Sequence, residues 1–557
     1  MISAPGGHTD GVSEHWYSEA VVYCLDIDTY ADSNDDGIGD IRGLIGRLDY
    51  LSRLGVTCIW LHPIHPTPGR DDGYDVTDFY GVDPRLGSLG DFAELLHQAT
   101  NRGIRVIIDL VVNHTSDEHP WFQSARSSPD SPYRNWYVWS ETEPPDRRQG
   151  MVFPGEQTET WTYDRKAKSW YYHRFYDFQP DLNFANPEVR EEIKKVMAFW
   201  LQLGVSGFRM DAVPFIIELT EPGKSQSPMD FDFITDMRRH VSWRRGDAVL
   251  LAEANVEPDK LVDYVADAGG ANTRIHMMLD FMLNGRLVLA LARQDPEPVI
   301  ETLRDTPLLP PGAQWATFLR NHDEIDLSRL TTEQRDFVLA QFGPDEDMRL
   351  YNRGIRRRLA PMLNGDRRRV ELAYSLQFTL RGTPVLRYGE EIGMGEDLSQ
   401  PGRNAIRTPM QWSDAPGAGF SSARKLVRPV ISGGDWGYEK VNVTAQRRDK
   451  DSLLGWFERM IRTLKESPEV GSGTCTPVDR KLPPGVLAHR ADGRSGSMLF
   501  LHNLGTEDAR VDLGDLYAES NRPGDVFADR EYEPVGRLDA LDLAGYGYRW
   551  IRLRREP

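Results

Sequence analysis

The sequence has little cysteine, and the cysteines it has follow no pattern. Only three occur in 557 residues, at Cys24, Cys58 and Cys475. Because they are odd in number and far apart, they provide neither a complete disulfide framework nor the spacing of a metal site. Chains without disulfides are typical of reducing compartments, and we therefore expect a cytoplasmic protein.

Basic residues and long apolar runs are also scarce. The chain has 66 lysines and arginines against 85 aspartates and glutamates, which gives a formal net charge of -19. This negative charge repels phosphate backbones and anionic lipid headgroups, so nucleic acid is not expected as a partner. No apolar segment is long enough to span a bilayer, and the first residues lack the basic and apolar regions of a signal peptide. We therefore expect no membrane partner.

Apolar runs of strand length alternate with helical periodicity through most of the chain. A chain of this length exceeds one ordinary core, which predicts a large domain with something smaller attached. Eight strands are predicted, at residues 20–27, 56–61, 105–114, 207–213, 248–255, 276–281, 316–323 and 383–390. Strands that alternate with helices form parallel sheets, and eight of them predict a closed eight-stranded parallel β/α (TIM) barrel with its active site at the carboxyl ends of the strands.

Two stretches break the alternation and predict additional domains. Residues 115–179 are polar and rich in aromatic residues, and we interpret them as an inserted subdomain after the third strand. Residues 471–557 carry short alternating runs, which predict a C-terminal antiparallel β-sandwich domain. The barrel then comprises residues 14–114 and 180–467.

Some helices have recognisable boundaries. Apolar spacing predicts one helix opened by Asp40 and closed by Gly55, and another over residues 187–203. The basic run from Arg353 to Arg358 could form an anion site. Acidic residues surround it, however, so we interpret it as a solvated helix face.

Two charged residues interrupt the apolar run Gly207–Val213. Strand alternation places Arg209 and Asp211 on the same face. A buried carboxylate is costly unless it is paired, and Arg209 is the nearest partner for Asp211. The pattern fits either a catalytic carboxylate held on a rigid strand or a structural ion pair at a strand end.

Other predicted strands also end in polar residues. Asp109, Asn113 and His114 close one strand, Glu253 follows another, and His322 and Asp323 follow a third. Three carboxylates at one barrel mouth suit the cleavage of a glycoside with retention. One carboxylate attacks the anomeric carbon and a protonated one delivers a proton to the leaving oxygen, at a separation of about 5 to 5.5 Å.

The segment Asp32–Asp40 has oxygen-bearing side chains at every second position around a glycine turn. Such a loop can direct carboxylates, an amide and a backbone carbonyl towards a hard cation, which predicts a calcium site. The helical context and terminal glutamate of an EF-hand are absent, so an acidic turn without metal is the alternative.

These motifs resemble the main sequence regions of the α-amylase superfamily, glycoside hydrolase family thirteen. The matching segments are Asp109–His114, Gly207–Asp211, Glu253–Asn255 and Asn321–Asp323, with a fifth at Gln179–Asn183. The resemblance implies that Asp211 is the nucleophile, that Glu253 is the general acid/base and that Asp323 binds and distorts the sugar. It also implies substrate binding by Asp71, Tyr74, His114, Gln179, Arg209, His322 and Arg403.

Within that family the resemblance is closest to the trehalose synthases, and it covers nearly the whole chain. It includes Asn113–Phe122, Asp211–Pro214, Arg356–Pro361 and Arg407–Trp412. It implies interconversion of maltose and trehalose by intramolecular glucosyl transfer, without an organic cofactor. It also implies structural Ca2+ at one or two sites, the first formed by Asp32, Asn34, Asp36, Ile38 and Asp40 and the second by Asn113, Asp181, Phe215, Ile216 and Glu218.

The sequence departs from the trehalose synthase pattern on the acceptor side. Val256–Glu257, Leu279–Asn284 and Arg387 replace residues that are usual there. An exo-acting α-glucosidase that hydrolyses short α-glucosides is therefore the alternative. A noncatalytic carbohydrate-binding protein is a third alternative, but such a protein would normally have lost a catalytic carboxylate. The expected partners are small sugars (maltose, trehalose or related α-glucosides), and a homo-oligomer is compatible with the sequence.

Overall fold

A computed structural model describes residues 15–219, 228–267, 273–306, 308–493, 496–514 and 522–554 of the chain. The predicted domain limits at residues 14 and 557 lie outside these ranges. Within the described ranges, no helix combines the length and the apolar character that crossing a membrane requires.

The strands follow one another through the whole described chain. In order they are β1 (Val22–Leu25), β2 (Cys58–Leu61), β3 (Arg105–Leu110), β4 (Trp139–Ser140), β5 (Trp161–Asp164), β6 (Ser169–Tyr172), β7 (Gly207–Met210), β8 (Val249–Ala252), β9 (Met277–Leu279), β10 (Gln314–Phe318), β11 (Ile325–Asp326), β12 (Arg349–Leu350), β13 (Gly354–Ile355), β14 (Thr383–Arg387), β15 (Thr474–Pro477), β16 (Val486–Asp492), β17 (Ser497–Asn503), β18 (Ala509–Val511), β19 (Arg522–Ala528), β20 (Leu541–Leu543) and β21 (Tyr548–Arg554).

The α-helices lie mostly between the strands of the first two thirds of the chain. In order they are α1 (Ile41–Ile45), α2 (Leu48–Leu54), α3 (Leu89–Thr100), α4 (Pro120–Ser127), α5 (Pro187–Leu203), α6 (Val213–Ile216), α7 (Phe231–Arg244), α8 (Pro258–Val265), α9 (Phe281–Arg293), α10 (Glu297–Asp305), α11 (Thr332–Phe342), α12 (Leu359–Met362), α13 (Arg367–Thr379), α14 (Val443–Arg448), α15 (Leu453–Lys465) and α16 (Pro468–Ser472).

Eight parallel strands close into a barrel, as the sequence predicts. Their order around the barrel is β1, β14, β10, β9, β8, β7, β3 and β2. Alternate side chains of each strand point inwards: Val22 and Cys24 pack in the barrel interior, whereas Tyr23 and Leu25 pack against the surrounding helices. The strands are therefore buried on both faces, which explains their nearly continuous apolar sequences.

Two smaller sheets lie beside the carboxyl ends of the barrel strands. Between β3 and α5, the strands β4, β5 and β6 form an antiparallel sheet within the predicted insertion at residues 115–179. After β10, the short strands β11, β12 and β13 form another. Both stretches contribute side chains to the rim of the barrel mouth.

The C-terminal part is antiparallel, as predicted. Strands β15, β16, β17, β21 and β19 form one sheet, and β18 pairs with β20 in a second. An apolar cluster between the two sheets includes Leu499, Leu501, Leu541 and Leu543. This part packs on the barrel through α13, where the Ser375 hydroxyl accepts a hydrogen bond of 2.9 Å from the Trp550 indole.

Two predictions about local structure are wrong. The helix opened by Asp40 breaks at Gly46 and Arg47 into α1 and α2, although Gly55 closes the second helix with a φ of +96°. The basic run is not a solvated helix face, because Arg356 and Arg358 are buried. The Arg356 guanidinium donates to backbone carbonyls of four residues, Asp347, Leu398, Gln400 and Gly402.

Candidate active site

One guanidinium organises the carboxylates at the barrel mouth. Arg209, on β7, is 1% exposed, and its Nη1 lies 2.6 Å from Asp211 Oδ1 and 3.2 Å from Asp109 Oδ2. Its Nη2 lies 2.7 Å from Oε2 of Glu253, which directly follows β8. Parallel strands bring these ends to one edge, so the two predicted catalytic carboxylates share one arginine.

The charges in this cluster do not balance. Burial raises the pKa of Asp211 well above the usual carboxyl range; Arg209 opposes the rise, and the carboxylates of Glu253, Asp109 and Asp323 add to it. The titrations of these carboxylates are linked, so the raised pKa belongs to the cluster as a whole and not to Asp211 alone. A pair with one ionised and one protonated carboxyl group is what retaining glycoside cleavage needs.

Asp323 follows β10 and is held by two further arginines. Its Oδ1 lies 3.0 Å from Arg403 Nη1 and 3.0 Å from Arg407 Nη2. Burial alone would raise the pKa of Asp323, but Arg403, Arg407 and Arg209 outweigh burial and lower it. Asp323 therefore stays ionised and available to accept hydrogen bonds from sugar hydroxyls.

Two histidines complete this wall of the site in their neutral form. Burial lowers the pKa of His322 well below its usual range, with nearby arginines adding to the effect, and lowers the pKa of His114 to about 4. The Nε2 atom of His114 lies 3.0 Å from the backbone carbonyl of Tyr74, to which it donates. The Nε2 atom of His322 lies 2.8 Å from the Tyr74 hydroxyl, which fixes that ring.

Asp71 and Tyr74 stand at the two ends of one tight turn. The Tyr74 hydroxyl donates to Asp109 Oδ2 at 2.7 Å, and its ring lies nearly parallel to that of His322. Asp71 Oδ2 accepts a hydrogen bond of 2.8 Å from Gln179 Nε2. Burial raises the pKa of Asp71 to about 7, although Arg403 and Gln179 oppose the rise.

Most of the predicted site residues line one cavity of about 390 Å³ at the barrel mouth. The structure brings together there Asp71, Tyr74, His114, Asp211, Glu253, His322, Asp323 and Arg403. Gln179 and Arg209 lie behind this lining, where Gln179 binds Asp71 and Arg209 binds the two predicted catalytic carboxylates. The cavity is of the size that ligand pockets for small molecules have.

Sequence reasoning missed several cavity residues. Phe153 and Phe175 come from the stretch between β3 and α5, whereas Glu324 directly precedes β11 and Arg353 directly precedes β13. The aromatic content of residues 115–179 and the position of Glu324 beside Asp323 were available signals. The role of Arg353 was hidden because its partner Glu324, 3.4 Å away, is distant in sequence.

The predicted first calcium loop is held by its own backbone. Asp32 Oδ1 accepts hydrogen bonds from the backbone N–H groups of Asn34 and Asp35, at 3.0 and 2.8 Å. Asp40 caps α1 by accepting a hydrogen bond of 2.7 Å from the Gly43 N–H. The donor set is made of oxygen atoms, which is the chemistry that calcium prefers.

The second predicted calcium set fits a metal less well. The carboxylate of Glu218 lies 2.7 Å from Nη2 of Arg174, so a guanidinium already neutralises it. Asp181 Oδ1 accepts a hydrogen bond of 2.9 Å from the Arg174 N–H, and burial raises the pKa of Asp181 to about 7. Among the residues that the structure describes, no three histidine, cysteine or acidic side chains are grouped closely enough to hold a metal ion.

The fold and the residues of this site define a class of protein: the chain belongs to the α-amylase family. Residues 27–341 and 352–473 match the family described as Alpha amylase, catalytic domain. The chain is 41% identical over 557 residues to the "Trehalose synthase/amylase TreS" of Mycolicibacterium smegmatis, across 98% of this chain and 93% of that protein. It is 40% identical over 555 residues to the "Trehalose synthase" of Pimelobacter sp., across 98% of this chain and 96% of that protein.

A solved structure agrees with the fold. The crystal structure of the α-amylase from H. orenii superposes with a TM-score of 0.76 at 26% sequence identity. The match covers 96% of this chain and 99% of that chain.

Proposed function

We propose that this protein interconverts maltose and trehalose by intramolecular glucosyl transfer through a covalent glucosyl-enzyme. The observation that carries the proposal is the similarity to proteins named trehalose synthase along nearly the entire chain. The cavity adds support, because it combines two carboxylates bound to one arginine with a third that is held ionised. This arrangement suits covalent catalysis at a sugar carbon.

The first half-reaction breaks the glycosidic bond. With the non-reducing glucose of maltose in the cavity, the Asp211 carboxylate attacks its anomeric carbon while protonated Glu253 donates its proton to the leaving O4. A glucosyl ester of Asp211 and a free glucose result. Arg209 stabilises Asp211 before the attack, and Asp323 with Asp71 accepts hydrogen bonds from the hydroxyls of the distorted sugar.

The second half-reaction reuses the same groups. The released glucose turns so that its anomeric hydroxyl faces the ester, and Glu253, now a carboxylate, removes the proton of that hydroxyl. Attack of this oxygen on the anomeric carbon breaks the ester, frees Asp211 and forms trehalose with retention at the transferred unit. Because Glu253 ends the cycle protonated, the reaction is reversible without any co-reactant.

Exclusion of water decides between transfer and hydrolysis, and the rim of the cavity supports transfer. Phe153 and Tyr351 stack with ring centroids 4.8 Å apart, and the Arg403 guanidinium lies over both rings. These contacts join the aromatic stretch after β3 to the segment after β10 across the barrel mouth. A retained glucose then competes with few water molecules.

Two of the three departures from the trehalose synthase pattern, Val256–Glu257 and Leu279–Asn284, also take part in this rim. Glu257 forms an ion pair with Arg329, and Nε of Arg329 donates to Asn255 Oδ1 at 2.7 Å. Phe281, in the second departing segment, lines the cavity itself. These residues add an ion pair, a hydrogen bond and an aromatic ring to the part of the cavity where the leaving glucose would lie. Such contacts are compatible with retention of that glucose.

We further propose calcium at the loop Asp32–Asp40, where it would stabilise the fold and take no part in the chemistry. The oxygen-bearing side chains of Asp32, Asn34, Asp36 and Asp40 in the sequence support this assignment, and the loop lies outside the cavity lining. A cytoplasmic location is proposed on the three free cysteines, two of which are buried thiols without a disulfide partner.

The test of the proposed function is product analysis after incubation with maltose as the only sugar. Trehalose should be the main product and glucose a minor one, and trehalose as the only sugar should return maltose. Glucose as the sole product would replace the proposal with the hydrolase alternative. The Asp211→Asn variant provides the control for contaminating activity.

A further inference from the structure

The turn that carries Asp71 and Tyr74 has an unusual backbone. Its two central residues, Asp72 and Gly73, have φ values of +47° and +97°, and the Tyr74 N–H donates to the Asp71 carbonyl at 2.8 Å. Positive φ is unfavourable for a residue with a side chain, although aspartate tolerates it better than most. The turn therefore needs external contacts to hold the conformation that directs Asp71 and Tyr74 into the cavity.

Two arginines bind the carboxylate of Asp72, which does not line the cavity. Nη1 of Arg407 lies 2.5 Å from Asp72 Oδ2, and Nη2 of Arg428 binds Asp72 Oδ1. Arg407 is shared, because its Nη2 also binds Asp323 at 3.0 Å. Arg428, which is 8% exposed, binds Asp72 and approaches Asp28 at 3.4 Å, and it does not line the cavity.

Arg428 lies at the end of a segment that forms hydrogen bonds with the acidic loop Asp32–Asp40. We call residues 420–428 the strap. The Asp32 N–H donates to the Phe420 carbonyl at 3.0 Å, and the Val427 N–H donates to the Gly37 carbonyl at 2.7 Å. A Cβ atom on Gly37 would lie 1.9 Å from the Lys425 carbonyl oxygen, so only glycine allows the strap to approach this closely.

We propose that Arg428 is a positioning residue for the sugar-binding site: the acidic loop seats the strap, the strap brings Arg428 to Asp72, and this ion pair fixes the turn that aligns Asp71 and Tyr74 with the donor glucose. The inference rests on the proposed function only in assuming that the cavity binds an α-glucosyl group. Loss of the ion pair lets the turn relax and leaves Arg407, which also binds Asp323, as the remaining arginine on Asp72. The consequence is weaker binding of the donor sugar, since the groups that cleave the bond do not contact Arg428.

Four variants and one control test the proposal. Arg428→Met removes the charge and keeps an unbranched apolar side chain, and Arg428→Lys keeps the charge without the fork of donors. Asp72→Asn tolerates the left-handed backbone but cannot form the ion pairs. The fourth variant combines Arg428→Met with Asp72→Asn. Arg424→Met is the matched control, because Arg424 is an exposed residue of the same strap.

The measurements are kcat and KM for 4-nitrophenyl α-glucoside, glucose binding by calorimetry, and the melting temperature. We expect Arg428→Met to raise KM and the glucose Kd about tenfold, the effect expected for one lost charged hydrogen bond, with a smaller change in kcat. Arg428→Lys should restore part of the loss, and Arg424→Met should resemble the wild type. The double variant should lose much less than the product of the two single losses, since both changes break the shared Arg428–Asp72 ion pair.

Two results would overturn the proposal. The first is an Arg428→Met variant with the KM and glucose affinity of the Arg424→Met control. The second is a double variant whose loss equals the product of the two single losses, because independent sites multiply. If Arg428→Met fails to fold, Asp72→Asn must show the same rise in KM. Cleavage of the aryl glucoside needs only the donor site, so a wild type that cleaves it without making trehalose would contradict the proposed function and leave this test intact.

Discussion

At the scale of the residue, the three carboxylates of the site differ in burial and in their arginine partners. Asp211 is the more enclosed carboxylate, with a side chain that is 10% exposed, while that of Glu253 is 23% exposed. Both bind Arg209, and Asp323 has two arginines of its own. The neighbours of these carboxylates differ, which is the condition under which one cavity could provide the proposed nucleophile, acid and sugar-binding anion.

Glu253→Gln should separate acid catalysis from nucleophilic catalysis. A glutamine cannot protonate the leaving oxygen, so turnover of maltose should fall by about 100-fold or more. Aryl glucosides leave without much proton assistance, so the glucosylation step measured with 4-nitrophenyl α-glucoside should lose far less. Asp211→Asn should lose both activities together, because no ester can form. Equal losses on the two substrates for Glu253→Gln would contradict the acid/base assignment.

Asp71 should give the folded protein a distinct pH dependence. Burial raises its pKa from 3.8 to about 7. Between those values the folded state keeps a proton that the unfolded chain releases, so this group lowers the free energy of unfolding as pH rises through that window. Asp71→Asn removes the effect. Its melting temperature relative to wild type should therefore increase from about pH 5 to about pH 8, and a constant difference would contradict the raised pKa.

At the scale of the element, segments outside the barrel strands complete the cavity. The stretch after β3 meets the segment after β10 through Phe153 and Tyr351, and Tyr176 and Tyr351 approach each other with hydroxyls 3.4 Å apart. These contacts are made by side chains on short elements and loops, so they can open without unfolding the barrel. With the proposed function, opening and closing at this rim would control water access to the cavity.

Tyr351→Ala should convert part of the isomerisation into hydrolysis. Losing one stacked aromatic contact weakens the closed rim by an amount that corresponds to an about two- to tenfold larger share of glucose among the products. The measurement is the glucose-to-trehalose ratio from maltose at equal conversion. Tyr163→Ala is the control, because Tyr163 is 46% exposed on β5. An unchanged ratio would show that this contact does not limit water access.

Calcium removal should lower the stability of the fold rather than act directly on the reaction. A ligand that binds only the folded state stabilises it by about 2.7 kcal/mol at a hundredfold excess over its Kd. Chelation should therefore lower the melting temperature, and added calcium should restore it. Asp36→Asn should melt lower and lose most of the response. A melting temperature that changes with neither chelator nor calcium, with no metal found by elemental analysis, would contradict the proposed site.

The sequence predicts the barrel well because its strands are buried on both faces and read as apolar runs. It predicts the cluster around Arg209 because charged residues at strand ends meet at one edge of a parallel barrel. The sequence does not predict features that depend on contacts between residues far apart in the chain. The buried Arg356 looks solvated beside acidic neighbours, yet its carbonyl partners Leu398, Gln400 and Gly402 lie more than 40 positions away. The break between α1 and α2 was hidden because the apolar periodicity continues across Gly46 and Arg47.

At the scale of the whole molecule, the chain combines a rigid barrel with a covered mouth. The barrel holds the reacting groups, and the elements after β3, β10 and β14 supply the rim, the strap and the arginines that fix Asp71 and Asp323. In the proposed reaction, released glucose stays in the cavity long enough to be reattached. It follows that the same covalent intermediate serves both directions of the isomerisation, with hydrolysis as a side reaction.

Isotope labelling tests this claim most directly. The protein is incubated with unlabelled maltose and an excess of carbon-13 glucose, and the label in trehalose is measured by mass spectrometry at early conversion. An enclosed glucose predicts trehalose as the main product with little label, because the transferred unit returns to the glucose it left. Trehalose labelled to the level of the free glucose pool, or glucose as the sole product, would contradict intramolecular transfer.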